Sequence, residues 1–326
     1  MATLDVKYLG LELKSPVIVS SCSLTADAGK IELMEKYGAG AVVLKSLFEE
    51  QISNEAEFLS GVSDSYPEMG DYLHGYIRHN SVADYKEKVR TIKERVSIPV
   101  IASINCYSRG EWTAYAREIE AAGADAIELN LYEMPTGRKT SPDEIEQGYC
   151  DTVRDVVKNV HVPVSVKISS HLTGIVWFAD RLSSCGAKGV VVFNRFFSPD
   201  IDIDRLCIVP APALSGPDEY LIPLRWTAVL SAVTRGLDIS ATTGIHDSRT
   251  ALKLILAGAD TVQLCSVLYK DGLEVIEKFN SDIIRFMDDN GFASVNDFRG
   301  KLNYSNIKDP AMYERVQFMK TFGEFR

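Results

Sequence analysis

Eight short apolar runs recur along this chain at intervals that few folds tolerate. They are PVIVSS (16–21), AVVLKS (41–46), PVIASI (99–104), AIELNL (126–131), PVSVKI (163–168), GVVVFN (189–194), DISATT (238–243) and TVQLCS (261–266). Runs this short, apolar almost throughout and rich in β-branched residues, suit strands buried on both faces, as in a parallel sheet covered by helices. Segments with helical period lie between them, among them DAGKIELMEKY, SVADYKEKVRTIKERV, GEWTAYAREIEAA, DEIEQGYCDTVRDVVKNV, DSRTALKLILA and DGLEVIEKFNSDIIRFMDDN. Eight strands alternating with helices predict an α/β fold, a (β/α)8 TIM barrel, with a doubly wound open sheet as the alternative.

A second regularity has the same period. YGAGAVVL, AAGADAIEL, SCGAKGVVVF and LAGADTVQL each pass from helix to strand through Gly-Ala or a close variant. Glycine there suits the left-handed cap that ends a helix before the chain turns into a strand. The 326 residues are consistent with one barrel domain over 1–326, closed by a C-terminal helical segment from about 270 to 326. Two connections, 47–81 and 195–222, exceed the usual ~2–6 residues of a βα loop. Both leave the C-terminal ends of strands, where they could form a lid, an oligomer contact or inert decoration.

Composition excludes several classes of function. The net charge is −10 with no block of Lys and Arg, so a phosphate backbone has no electrostatic footprint to bind and nucleic acid is not an expected partner. The opening MATLDVKYLGLELKSP has no apolar run of signal length, and no window approaches the ~18 apolar residues of a membrane span. These features predict a cytoplasmic protein without a membrane-anchoring extension. Cys22, Cys106, Cys150, Cys185, Cys207 and Cys265 show no metal-ligand spacing, which predicts reduced thiols, most of them buried as small apolar groups. DIDID (200–204) lacks the glycine and closing glutamate of a calcium loop and reads as an edge strand, so no metal is expected. Neither G-x-S-x-G nor G-x-x-x-x-G-K-[ST] occurs, which removes the motifs of serine hydrolases and P-loop proteins.

Polar residues at the strand ends stand out against these apolar interiors: Ser20 and Ser21, Lys45, Asn105, Asn130, Lys167 and Asn194. All fall on the rim where barrel active sites are built. A lysine buried in a parallel strand costs several kcal/mol unless an anion or hydrogen-bond partner meets it, so two at one rim point to an anionic or electron-rich ligand. The ends of the last two strands, SATTGIHDSRTA and LCSVLYKDG, place small residues before helix starts. Thr243, Gly244, Cys265 and Ser266, joined by Ser215 and Gly216, would form a phosphate cup there.

With these features in order along nearly the whole chain, the sequence resembles the class 1 dihydroorotate dehydrogenases, FMN-containing (β/α)8 barrels. The closing SVNDFRGKL (294–302) adds to the likeness. The resemblance implies that Ser20, Ser21 and Cys22 lie along the flavin and that Lys45 and Ser46 contact flavin and substrate. It implies that Lys167 sits at the flavin edge that becomes anionic on reduction. Gly244, Cys265, Ser266, Ser215 and Gly216 match the phosphate cup. It further implies oxidation of dihydroorotate to orotate in pyrimidine biosynthesis, by hydride transfer to flavin N5, and a homodimer. It names no electron acceptor for this chain.

The substrate half departs from that family. Where the family reads close to N-L-S-C-P-N, with cysteine as base, this chain reads Asn130-Leu131-Tyr132-Glu133-Met134-Pro135-Thr136. Glu133 is the natural substitute base, and Tyr132 an alternative acid. The long loop after the second strand keeps only Met69-Gly70 of a substrate motif, and the family's Asn-Ser after the sixth strand becomes Asn194-Arg195. Asn130, Asn194, Arg195 and Met69 are therefore the expected substrate contacts, with Glu133, Tyr132 and Lys45 as the catalytic candidates. The other readings are a flavin oxidoreductase on a different small substrate, a Schiff-base lyase using Lys167 or Lys45, and a flavin protein that passes electrons to a partner. A tRNA-reducing flavin barrel is disfavoured by the acidic charge and the absent cysteine.

Overall fold

The computed structural model describes residues 2–48, 82–105, 109–134, 136–196 and 198–314. The chain opens with a hairpin, β1 (Val6–Tyr8) and β2 (Leu11–Leu13), turned by Leu9 and Gly10 at φ 56° and 81°. Two successive positive φ angles match the twist of a two-residue hairpin. The carboxylate of Asp238 accepts the Leu9 N–H at 2.6 Å and holds this turn against the barrel. Tyr8 is fully buried there.

The eight predicted runs form the eight barrel strands. They are β3 (Val17–Val19), β4 (Ala41–Val43), β6 (Val100–Asn105), β7 (Ala126–Asn130), β8 (Val164–Ile168), β9 (Gly189–Val192), β12 (Asp238–Thr242) and β13 (Thr261–Leu264). Their order is β4-β3-β13-β12-β9-β8-β7-β6, all parallel, and pairing of β4 with β6 closes the ring. The two-residue β5 (Leu47–Phe48) continues the line of β4 along β6. Between β4 and β5 the ladder has a gap, and the Tyr85 hydroxyl fills it, accepting from Ser103 N at 3.2 Å and donating to Ser103 O at 3.3 Å.

Helices follow the strands: α1 (Ala28–Lys36), α2 (82–95), α3 (Arg109–Ala121), α4 (Pro142–Asn159), α5 (Ile175–Ser184), α6 (Leu221–Val233), α7 (Ser248–Ala257), α8 (Ser266–Asp271) and α9 (Val275–Asn290). Their ends follow local chemistry. Asp27 caps α1, and Ser141 with Glu144 forms a capping box before Pro142 opens α4. The four Gly-Ala junctions carry Gly38, Gly123, Gly186 and Gly258 at φ 88° to 118°, as the sequence predicts. Helix α9 buries Ile276, Phe279, Ile283 and Met287, a stripe at helical spacing worth about 1.5–3 kcal/mol per side chain.

The connection after β9 contains a second hairpin, β10 (Pro199–Asp202) with β11 (Cys207–Pro210), so DIDID enters an edge strand as expected. The thiols correct one expectation. Cys150 and Cys185 are buried, but Cys22 and Cys265 are half-buried and Cys207 is exposed. The exposed thiol sits on the second hairpin, and the half-buried pair at strand ends, each just before a helical turn. Cys106, Met69 and nearly all of the long 47–81 connection lie outside the described residues.

Candidate functional site

The barrel interior is unusually polar. Ser103, Glu128, Ser165, Ser240, Thr261 and Gln263 are all buried. Strands β13 and β7 stand on opposite sides of the ring, so the bond from Gln263 Nε2 to Glu128 Oε2 (3.0 Å) crosses the interior. Ser20 Oγ donates to Gln263 Oε1 at 3.1 Å, and Lys167 Nζ donates to Ser20 Oγ at 3.2 Å. Glu128 Oε1 lies 3.8 Å from Lys167 Nζ, which closes a ring of four side chains from three strands and the rim. Lys167 is thus buried and partnered, at 6% exposure.

Above this ring, at the C-terminal ends of the strands, a cavity of about 140 Å³ is lined by Ser20, Ser21, Lys167, Asn194 and Arg195 on one side. Ser215, Thr243, Gly244, Cys265 and Ser266 line the other. The small residues bond one another. Ser215 N and Oγ both donate to Ser266 Oγ (2.9 and 3.0 Å), and Gly244 N donates to Ser215 Oγ at 3.4 Å. Gly244 is required by crowding, since a Cβ there would meet Tyr220 N at 2.2 Å. Lys270 Nζ donates to Ser215 O (3.2 Å), and His246 Nε2 is 3.1 Å from Ser215 Oγ. Burial, then the nearby Lys270 charge, lowers the His246 pKa, so it favours the neutral ring.

Asn194 Nδ2 donates to Asn130 Oδ1 at 2.7 Å, over the top of β8. Among the described residues neither amide makes a second side-chain hydrogen bond, which leaves one edge of each for a ligand. Two residues further along each loop, Tyr132 and Phe196 stack with ring centroids 3.7 Å apart, and His171 lies 6.2 Å beyond Phe196. Arg195 is held by Glu219 (2.8 Å to Oε2) and by Ala213 O (2.9 Å). Burial alone would raise the Glu219 carboxyl, but hydrogen bonds from Arg195 and the Gly216 N–H hold it below the usual carboxylate range.

Ser46 reaches the site through Ser21 (3.1 Å), and Asn105 is half-buried at the end of β6. The Cys22 thiol, hydrogen-bonded by Cys265, is lowered to about 6, and the Cys265 thiol is raised by the same contact. Two of the expected residues are exposed. Lys45 is exposed, because β4 ends at Val43 and the long side chain reaches solvent from the rim. Glu133 is also exposed, two residues past Leu131 where the chain leaves the barrel. Glu128, Gln263 and Glu219 were not singled out from sequence. The signal for the first two was present, a polar residue inside AIELNL and TVQLCS.

A larger cavity, about 550 Å³, opens at the other end of the barrel between Gly10, Val160, Val162 and Lys188. Its walls are mostly apolar side chains, and its Asp238 is already engaged by Leu9. The smaller cavity holds the buried cation, the convergent hydroxyls and Asn194, which is bonded to Asn130, and is the candidate site. Among the described residues, no group of three or more His, Cys, Asp or Glu could hold a metal ion.

Comparisons with known proteins agree with this geometry. The dihydroorotate dehydrogenase family model matches residues 3–287. The dihydroorotate dehydrogenase B (NAD(+)) catalytic subunit of Thermoplasma volcanium is 28% identical, covering 92% of this chain and 98% of its own. That of Thermoplasma acidophilum is 29% identical over 92% and 99%. A putative dihydroorotate dehydrogenase A (fumarate) of Aeropyrum pernix is 27% identical over 91% and 96%. A closed eight-stranded barrel, a buried lysine facing a cup of small residues, and this match along most of the sequence together place the chain in the dihydroorotate dehydrogenase family.

Proposed function

We propose that this chain is an FMN-dependent oxidoreductase that converts dihydroorotate to orotate in the cytoplasm, working as a single barrel domain. The observation that carries the reading is the opposition of buried Lys167 to the Ser215–Gly244–Ser266 cup across one cavity. The donor set fits the cofactor. The cup supplies N–H and O–H donors, with Arg195 and Lys270 nearby, to hold a phosphate. The Lys167 ammonium suits the ring edge that gains charge on reduction. When bound, the flavin supplies the hydride acceptor.

The chain's own residues then have defined tasks. Asn130 and Asn194 orient the substrate ring through their free amide edges, and Lys167 holds positive charge beneath it. Glu133 takes the proton from one ring carbon as hydride leaves its neighbour and the double bond forms. Its exposure requires the loop to close over bound substrate, which would desolvate the carboxylate and raise its basicity. Tyr132, stacked on Phe196, covers the mouth. The test is anaerobic mixing with dihydroorotate, which should bleach the yellow flavin. Glu133→Gln should slow that bleaching by about 10²–10⁴-fold, the usual worth of a general base. A flavin that dihydroorotate leaves yellow would overturn the substrate and leave an oxidoreductase acting on another small ring.

We also propose a homodimer built on the β10–β11 hairpin. Ile201 and Ile208 are cross-strand partners, both exposed, and Ile203 and Leu206 at its tip are 79% and 86% exposed. Four large aliphatic side chains on one projecting ribbon are costly to leave in water, and an isologous contact would bury them. Sedimentation should show a dimer for the wild type and a monomer for Ile201→Asp/Ile208→Asp. A monomeric wild type would refute the assignment. No helix among the described residues is long and apolar enough to cross a membrane.

A further inference from the structure

Glu128 is a carboxylate at the centre of the barrel with no part in the proposed reaction. Strand register puts Glu128 opposite Ser165 and Asn130 opposite Lys167, so Glu128 lies one layer below the rim, on the inward face. Its side chain is 1% exposed. Oε2 accepts from Gln263, while Oε1 accepts no hydrogen bond among the described residues and faces Lys167 Nζ at 3.8 Å. Among the described residues Lys167 in turn donates to one neutral oxygen, Ser20 Oγ.

The other titratable groups around the pair do not replace this carboxylate. Tyr8 from the floor hairpin and Tyr85 from α2 face Glu128 as phenols that burial keeps neutral. Cys265, at the end of β13, faces Lys167 as a thiol held protonated by its contact with Cys22. Arg195 is committed to Glu219. A buried ammonium with a single hydroxyl partner is expensive, and the carboxylate offsets that cost.

We propose that Glu128 is a positioning residue that fixes Lys167 as a protonated ammonium at the floor of the site before cofactor or substrate arrives. The cation is then preorganised, and negative charge that develops above it meets a charge already in place. Without Glu128, Lys167 would sit neutral in the same pocket and take up a proton only when an anion appears. The role concerns this chain's own residues; only its electrochemical consequence rests on the flavin reading.

Two measurements on the full-length chain test the proposal. The first needs no flavin: reductive methylation of Lys167 at pH 7.5, read by peptide mass spectrometry against exposed Lys36 as internal standard. Methylation requires the neutral amine, only about one part in 10³ of an ordinary lysine at that pH, so Glu128→Gln should label Lys167 on the order of 10²–10³-fold faster, with exposed Lys36 unchanged. Glu128→Asp keeps the charge but withdraws it by one methylene. It should fall between the two, and it carries the test if the glutamine variant does not fold. Equal labelling of Lys167 in all the folded proteins would overturn the proposal.

The second measurement is the flavin midpoint potential against pH. With Lys167 already charged, two electrons enter with one proton, a slope of about 30 mV per pH unit. In Glu128→Gln a second proton must enter, and the slope approaches about 59 mV. A merely structural carboxylate would leave the slope unchanged, and that result would also overturn the proposal. If the chain binds no flavin, the flavin reading fails while the labelling still decides the role of Glu128.

Discussion

Lys167→Met should unfold well below the wild-type temperature and fail to be reduced by substrate, and the two losses should have separable causes. The substitution leaves Glu128 buried with its unbonded oxygen facing a thioether rather than an ammonium. Removing one partner of a buried pair costs about 3–5 kcal/mol, because the remaining charge is uncompensated. In a chain of 326 residues that lowers the melting temperature by about 4–7 °C. Adding Glu128→Gln removes the stranded charge. The double variant should therefore regain most of the stability but none of the reduction, since the positive charge beneath the ring is still missing. Calorimetric melts and anaerobic flavin bleaching of the three proteins decide the matter. A double variant as unstable as Lys167→Met would show that the pair contributes by packing rather than by charge.

Gly244→Ala should be the most damaging single-methyl change at the cup. The glycine has φ 74°, and an added Cβ would meet Tyr220 N at 2.2 Å and Glu219 C at 2.7 Å, both backbone atoms of the segment leading into α6. That segment cannot yield without moving Glu219, which holds Arg195 and the Gly216 N–H. Overpacking against backbone, with left-handed strain added, is expected to cost about 3–5 kcal/mol. FMN affinity should fall by at least about 100-fold, since each lost charge-assisted contact is worth ~1.5–3 kcal/mol. Gly123→Ala is the control. It has φ 99° but nothing within 4 Å of the new methyl, so it should cost only about 1–2 kcal/mol of strain. Denaturant midpoints and flavin titration of the pair check both numbers.

The structural outcome at two lysines shows what strand-end chemistry reveals. Lys45 and Lys167 look equivalent in sequence, each the fifth residue of a six-residue, mostly apolar run. Lys167 lies within β8 and turns inward, whereas Lys45 lies two residues past the end of β4 and reaches solvent. The difference is where each strand stops, which local pattern places only to within a few residues. Arg195 presents the same limit. Its position after β9 marks it as a rim group, but its charge is committed to Glu219, in the segment that follows the hairpin.

The sequence by itself determined the eight strands, their order of alternation with helices and the glycine caps, because each is a local periodicity written within a few neighbouring residues. It also marked the rim, because buried strands tolerate polar residues only where a ligand or partner meets them. Tertiary structure alone decided which of those residues meet. Gln263 and Glu128 are 135 positions apart and on opposite sides of the ring, and only closure of the barrel brings them to 3.0 Å. The same closure gives Lys167 its counter-charge and binds Arg195 to Glu219. Side-chain periodicity records which way a residue faces, whereas a contact across a barrel depends on the curvature of the whole sheet.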